Sequence, residues 1–332
     1  MSEILRLESL RVGYERSLTA PLDLQIKEGE LVCLVGPNGS GKSTLLKTIA
    51  GLLPPREGKV LILGNCLSEL TLAERARRMA LVLSKFPSTH AMSAFDSVAL
   101  GRSPHTRWLG GLSAKDRAVV LQALQETDTM HLASRNVDAL SDGERQRLAV
   151  ARALAQEARM ILLDEPTAFL DLPHRVGLMG LLRSLCRKQK VAAVMSTHDL
   201  DLALRLADHV LVLDGQGNHA YGIPETLAMD GVFGRVFSTP QVVFDLANGS
   251  FRLEEEGCTP VQCNIPGILG TWTRRALRRM GWIIADEAGV QIDAHEDDGK
   301  PVWSLRLSPR DEREVYSLEA LLETLRNSKA DS

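Results

Sequence analysis

The chain has 332 residues, 44% hydrophobic and 24% charged, which is ordinary for a globular protein and enough for two domains with their own cores. A formal net charge of -3 gives no global attraction to nucleic acid, and no apolar run approaches the roughly 18 residues that a spanning helix needs, so any membrane association must run through a partner. Of the 5 cysteines, Cys33, Cys66 and Cys186 fall in or beside predicted buried elements; Cys258 and Cys263 are the only close pair, without the second pair or spaced histidine that a metal site needs.

The N-terminus, MSEILRLESL, starts as an alternating strand and does not resemble a signal peptide. Segments near Leu5 to Val12 and Pro21 to Ile26 alternate as strands of an antiparallel edge. LVCLVG then reads as a buried strand, and STLLKTIAG carries apolar residues at helical spacing up to Gly51. The loop between them, GPNGSGKST from Gly36 to Thr44, satisfies every fixed position of the phosphate-binding P-loop pattern in the strand, loop and helix order that makes the match specific. Gly36, Gly39 and Gly41 let successive backbone N–H groups face an anion, where a Cβ would obstruct the approach. Lys42 supplies a positive charge for the β- and γ-phosphates, and the Ser43 hydroxyl suits Mg²⁺. Pro37, Asn38, Ser40 and Thr44 complete the cradle. An ordinary glycine turn does not explain Lys and Ser after the third glycine.

Next comes the strand MALVL, and between Ser93 and Glu157 the pattern turns helical, with AKDRAVVLQALQETD amphipathic and Ser113 as its N-cap. In MILLDEP, the run Met160 to Leu163 is typical of a central parallel strand ending in Asp164 and Glu165. Open parallel sheets bind ligands at the carboxyl ends of their strands. Asp164 is therefore the expected partner of Mg²⁺, and Glu165 the group that orients and deprotonates an attacking water. VAAVMSTHDL repeats the pattern with His198 at the strand end, where an imidazole can hydrogen-bond a γ-phosphate; a lone histidine is otherwise more often structural. HVLVLD is the last central strand.

These residues resemble the ATP-binding cassette ATPases, the motor subunits of ABC transporters. The segment LSDGERQRLAVARAL from Leu140 is similar to the family's signature motif, usually LSGGQ: Ser141 and Gly143 match, while Asp142 and Glu144 replace Gly and Gln. The resemblance implies an α/β fold with a P-loop core, an antiparallel β edge and an inserted helical lobe at about 93–157, within an ATP-binding domain at 3–236. It implies a head-to-tail homodimer in which Ser141 and Gly143 contact ATP held by the other subunit. The two extra carboxylates would repel phosphate unless turned away or paired with Arg145 or Arg147. By the same resemblance, Tyr14 stacks on adenine, Glu165 is the catalytic glutamate, Asp171 crosses the dimer interface and His198 is the switch histidine. Where the family carries a glutamine near the metal, this chain has Ser84, Lys85 and Phe86, and Ser84 is the expected substitute ligand.

SVALGRSPHTRWLGGLSAKD, positions 97–116, resembles the ATPases of ferric-siderophore, haem and cobalamin importers. That resemblance implies a membrane-spanning permease, indirectly a substrate-binding protein, ATP and Mg²⁺ as ligands, no nucleic acid, and a peripheral place on the cytoplasmic face of the membrane. The alternatives are a soluble ABC-type ATPase acting on ribosomes or DNA, whose known forms carry two cassettes or a coiled-coil insertion, and a nucleotide-binding scaffold, against which Glu165 and His198 both speak. Beyond about Arg235 the family pattern ends. Residues 237–332 read as a small α+β domain: strands VVFDL and SFRLE around Asn248 and Gly249, helix TWTRRALRRMG, strands near WIIAD, VQID and VWSLRL, and a final helix SLEALLETLR. Arg274, Arg275, Arg278 and Arg279 fit an anionic-ligand or membrane-surface patch, or more commonly a solvated helix face. A regulatory role for this domain is an expectation that rests on its presence alone.

Overall fold

Continuous apolar runs build the central sheet. The computed structural model describes residues 2–83, 92–106, 111–253, 259–308 and 310–330. The chain divides into two units, Met1–Ser238 with Phe244–Phe251, and Thr239–Val243 with Arg252–Ser332.

The first unit begins with strands Glu3–Arg11 (β1), Leu22–Lys27 (β2) and Leu31–Val35 (β3), helix Lys42–Ile49 (α1), strands Glu57–Ile62 (β4) and Asn65–Cys66 (β5), helix Leu72–Arg78 (α2) and strand Met79–Val82 (β6). Helices Ala94–Ala99 (α3), Ala114–Glu126 (α4) and Asp142–Ala155 (α5) form the lobe. Strand Met160–Asp164 (β7), helix Leu172–Gln189 (α6), strand Ala192–Ser196 (β8), helix Leu200–Leu206 (α7) and strands His209–Leu213 (β9) and His219–Gly222 (β10) follow, then helices Pro224–Met229 (α8) and Val232–Phe237 (α9).

Two sheets result, ordered β2-β1-β4-β5 and β10-β9-β3-β8-β7-β6. The first is antiparallel; in the second only β10 runs against its neighbour. Parallel neighbours cannot be joined by hairpins, which is why helical crossovers separate these strands in sequence. Val32 and Leu34 of β3 pack with Leu45 and Ile49 of α1 and with Leu5 and Leu7 of β1. Cys33 and Val35 face the other way, among Leu178 and Leu182 of α6 and the lobe helices. Burial on both faces explains why no polar residue alternates along β3, β7 or β8.

The stretch that carried the importer resemblance holds the lobe together and, through Arg77, joins it to the core. Arg102 is 3% exposed and donates to Asp116 Oδ1 (2.9 Å), the Ala155 carbonyl (2.7 Å) and Glu157 Oε2 (2.6 Å). Gly101 has no room for a side chain, because an ideal Cβ would lie 2.3 Å from the Arg152 carbonyl oxygen on α5. His105 Nε2 bonds the Gln156 carbonyl at 2.9 Å, and Arg77 donates to the Pro104 carbonyl at 3.0 Å. Ser113 caps α4 through a reciprocal pair with Asp116, so one carboxylate both starts the helix and neutralises the buried guanidinium.

Strands Val242–Asp245 (β11) and Ser250–Leu253 (β12) form the expected hairpin, but its tip, Phe244–Phe251, groups with the first unit instead of the C-terminal domain. The cause is aromatic packing: Phe244 lies 5.5 Å from Phe233, and Phe251 lies 6.0 Å from Phe237, ring centre to ring centre.

The second unit holds strand Thr259–Cys263 (β13), helix Gly267–Arg279 (α10), strands Trp282–Ile284 (β14), Val290–Asp297 (β15), Lys300–Ser308 (β16) and Asp311–Val315 (β17), and helix Leu318–Ala330 (α11). The sheet order is β14-β13-β15-β16-β17, with β13 parallel to both neighbours. Leu277 of α10 and Leu321 and Leu325 of α11 meet Val261, Ile292, Trp303 and Leu305 in its core, where Trp303 Nε1 donates to Thr273 Oγ1 at 3.0 Å. Helix α10 starts four residues before the predicted TWTRRALRRMG. Pro266 stands at its N-cap, and Gly270 permits a first turn in which an ideal Cβ would sit 1.7 Å from the Ile265 carbonyl oxygen. Cys263 is buried in this core, which raises its thiol pKa; Cys258 lies outside the described residues.

Candidate active site

Strands β3, β8 and β7 lie side by side in register, Leu34 opposite Ser196 and Ser196 opposite Asp164. This adjacency gathers at one sheet end the P-loop that follows β3, the acidic pair that ends β7, and His198 just beyond β8.

The loop from Gly36 to Gly41 bends tightly before α1. Gly39 and Gly41 adopt left-handed backbone at φ 79° and 99°, and an ideal Cβ on Gly36 would lie 2.3 Å from the Leu213 carbonyl oxygen. Pro37 and Asn38 form its outer rim, while Thr44 is buried in the first turn of α1. Lys42 Nζ folds back across the loop and donates to the carbonyls of Gly36 (2.8 Å) and Pro37 (2.9 Å). Burial lowers the Lys42 pKa, with the Glu165 and Asp164 carboxylates pulling the other way. The Ser40 hydroxyl is buried without a hydrogen-bond partner among the described residues. A buried orphan hydroxyl beside an ammonium satisfied only by carbonyls fits a polyanion.

Ser43 Oγ donates to Asp164 Oδ1 at 3.0 Å. Ser196 Oγ donates to the same oxygen at 2.8 Å and accepts the Glu165 backbone N–H at 2.9 Å. A hydroxyl and a carboxylate oxygen in contact are a donor set suited to a hard cation such as magnesium. Glu165 has a left-handed φ of 49°, a conformation that costs a non-glycine residue about 1–3 kcal/mol and here turns its side chain toward His198. The His198 Nε2 to Glu165 Oε1 distance is 2.8 Å.

Other predicted residues stand apart. Tyr14 is 59% exposed just after β1, its ring free on the surface and its carbonyl accepting from Arg56 at 2.9 Å. Ser141 is the N-cap of α5; its hydroxyl donates to Glu144 Oε2 (2.9 Å) and accepts the Glu144 N–H (3.3 Å). Both extra carboxylates of the signature segment are engaged: the Ser141 backbone N–H, donating to Glu144 Oε2 at 2.8 Å, and then the Ser141 hydroxyl lower the Glu144 pKa, and Asp142 pairs with Arg145 at 3.4 Å. Asp171 caps α6, accepting the His174 N–H at 3.1 Å and bonding His174 Nδ1, which lowers its pKa. Among the described residues no hydrogen bond joins Ser141, Gly143 or Asp171 to the P-loop of the same chain. Ser84, Lys85 and Phe86 lie outside the described residues.

Two residues were not singled out from the sequence. Ser196 is the last residue of an apolar strand, and only its register against β7 reveals its contacts. His174 lies over Gly143, its Cδ2 2.9 Å from where a Cβ would be, and so joins the signature segment to Asp171. Its signal in the sequence was its three-residue spacing from Asp171.

Residues 19–168 match the ABC transporter family model, and residues 260–326 match the model of the iron ABC transporter C-terminal domain. The achromobactin transport ATP-binding protein of Dickeya dadantii is 40% identical over 69% of this chain and 86% of its own length. The ferric enterobactin transport ATP-binding protein of Escherichia coli is 36% identical over 73% of this chain and 89% of its own. Among solved structures, a dimeric bacterial ABC transporter cassette aligns with a TM-score of 0.58 at 30% identity, over 67% of this chain and 99% of that one. These are transport proteins, which disfavours the ribosome- or DNA-acting alternative.

Proposed function

Because the chain belongs to the ATP-binding proteins of ABC transporters, a family of ATPases, we propose that it is the energy-coupling subunit of an importer for an iron complex. The match of its C-terminal segment to an iron transporter domain and the ferric enterobactin relative favour iron over haem or cobalamin as the cargo chemistry. No helix among the described residues is long and apolar enough to cross a membrane. A membrane-spanning permease, fed by a substrate-binding protein, is the proposed partner, with this subunit on the cytoplasmic face where ATP is found.

The observation that carries the reading is the convergence of Lys42, Asp164, Glu165 and His198 at neighbouring strand ends. Tyr14 would stack on adenine, while Lys42, the Ser40 and Thr44 hydroxyls and the loop N–H groups would hold the phosphates. Ser43 and Asp164 would hold a magnesium ion, which neutralises phosphate charge when bound. Glu165 takes a proton from the water aligned on the γ-phosphorus, and His198 keeps that carboxylate aimed. Ser141 and Gly143 of one copy close on the nucleotide of the other, with Asp171 beside them. Loss of the γ-phosphate removes contacts that only the closed pair makes, so the dimer reopens and the permease follows.

The test is Glu165→Gln, which keeps the shape and removes the base. ATP hydrolysis should fall by about 10²-fold or more while ATP binding and ATP-dependent dimerisation survive in gel filtration; hydrolysis at the wild-type rate would refute the base assignment. Tagged chain recovered from detergent-solubilised membranes should bring down a multi-spanning permease. Recovery of ribosomal or DNA-repair proteins alone would overturn the transport reading.

A further inference from the structure

Helix α10 of the second unit has two unlike sides. Gly270, Thr273, Ala276 and Leu277 face the core, and Thr273 is fixed there by the Trp303 indole. The opposite side presents Ile268, 80% exposed, and Trp272, 56% exposed, followed by exposed Arg275, Arg278 and Arg279. At 1.5 Å per residue these five span a face about 17 Å long. Arg274 does not belong to it, because its Nη1 turns inward to the Ile265 carbonyl at 2.8 Å.

What distinguishes this face is missing neutralisation. The sequence from Gly267 to Arg279 contains no acidic residue. Among the described residues Arg275, Arg278 and Arg279 meet no carboxylate, whereas surface arginines of the first unit do: Arg159 lies 3.4 Å from Glu28, Arg135 3.6 Å from Glu144 and Arg205 2.9 Å from Asp201. Arg275 instead sits over the Trp272 ring, 5.3 Å from its centre, so the exposed indole lies beside a cation. Guanidinium forks match phosphate oxygens, and an indole with a neighbouring aliphatic side chain suits the boundary between headgroups and acyl chains. A solvated helix face would account for the arginines but not for two large apolar side chains left exposed among them.

We propose that this face of α10 docks on an anionic phospholipid surface, Ile268 and Trp272 entering the headgroup boundary and Arg275, Arg278 and Arg279 binding lipid phosphates. The contact departs from the expectation that any membrane association runs through a partner; it goes beyond the importer reading and fails or stands separately from it, because it needs neither ATP nor a permease.

The experiment is sedimentation of the purified full chain with vesicles of phosphatidylcholine, or of phosphatidylcholine mixed with phosphatidylglycerol. The chain should partition onto the anionic vesicles and be largely released at about 0.5 M salt, where surface charge is screened. Each arginine near such a surface is worth about fivefold in binding, so the triple variant Arg275→Gln, Arg278→Gln, Arg279→Gln should bind roughly a hundredfold more weakly. Trp272→Ser should weaken binding at every salt concentration, since apolar insertion is not screened. Equal partition of the wild-type chain onto both vesicles overturns the proposal without any variant. So does a triple variant that binds within twofold of wild type. Displacement by millimolar inorganic phosphate also overturns it, by reducing the face to a site for the free anion, and binding to an acidic polypeptide but not to anionic vesicles would assign it to a protein partner instead.

Discussion

Ser196→Ala removes a hydroxyl that is fully buried and bonded twice, to a carboxylate and from a strained backbone amide. A hydrogen bond to a charged acceptor contributes about 1.5–3 kcal/mol, and a donor left without a partner costs about 1–3 kcal/mol. Asp164 keeps its bond from Ser43, so the carboxylate stays near the P-loop. Glu165 loses more, because the Ser196 oxygen is the partner of its amide at the residue whose φ is 49°. If about 2 kcal/mol of that restraint is felt only when water is attacked, kcat falls about 30-fold. The KM for ATP should move far less, since Lys42 and the loop amides are untouched. Steady-state ATP hydrolysis across substrate concentrations gives the split, and thermal unfolding shows that the variant is folded. Ser196→Thr restores the oxygen and should recover most of the rate, at some cost in stability from a methyl in a filled site. A folded Ser196→Ala protein with kcat within twofold of wild type would refute the positioning argument.

Arg102→Met should lower the unfolding free energy by about 3 kcal/mol in urea titrations, because it strands the carboxylate and carbonyl that the guanidinium satisfies; an unchanged midpoint would show that the lobe is not held there. Gly143→Ala places a Cβ 2.9 Å from His174 Cδ2 and should reduce ATP hydrolysis, and adding His174→Ala should return part of it. Strictly additive losses in that double-mutant cycle would mean the two residues are not coupled. The Asp116 carboxyl is lowered from 3.8 to about 2, first by the Ser113 hydroxyl and then by Arg102. A folded-state pKa below the unfolded one means that its stabilisation is complete above about pH 4 and lost as the pH falls toward 2. Asp116→Asn should therefore flatten the acid limb of the urea midpoint in that window, and an unaltered slope would contradict the assignment.

Much of the candidate site was legible because each part carries its own signal. A buried parallel strand is a run of apolar residues, and the loop after Val35 needs glycines wherever backbone must approach an anion. Ser196 carried no such signal: a serine at a strand end means nothing until β8 is known to lie between β3 and β7, and strand order is a property of the whole sheet. The same holds for Gly101, whose need to be glycine comes from a carbonyl on α5 fifty-one residues away. The hairpin tip at Phe244–Phe251 read as part of the following domain because sequence proximity favours that grouping, whereas Phe233 and Phe237 claim it by packing. Helix α10 lost its first turn in the reading because two glycines in GILG look like loop; the close passage past Ile265 explains Gly270, and a left-handed φ of 66° explains Gly267.

The bonds at Ser141 bear on turnover as well as on helix capping. Its hydroxyl donates to Glu144, and Glu144 in turn accepts the Ser141 N–H at 2.8 Å. In the proposed closed dimer, meeting the partner's γ-phosphate would mean withdrawing that proton from one oxygen anion and offering it to another. Each half of such an exchange involves a charge-assisted bond of similar kind, so closing gains little from this group and reopening leaves nothing unsatisfied. In the proposed dimer the segment would then act as a reversible latch, engaging at small net free energy and having, after hydrolysis, the Glu144 carboxylate to return to.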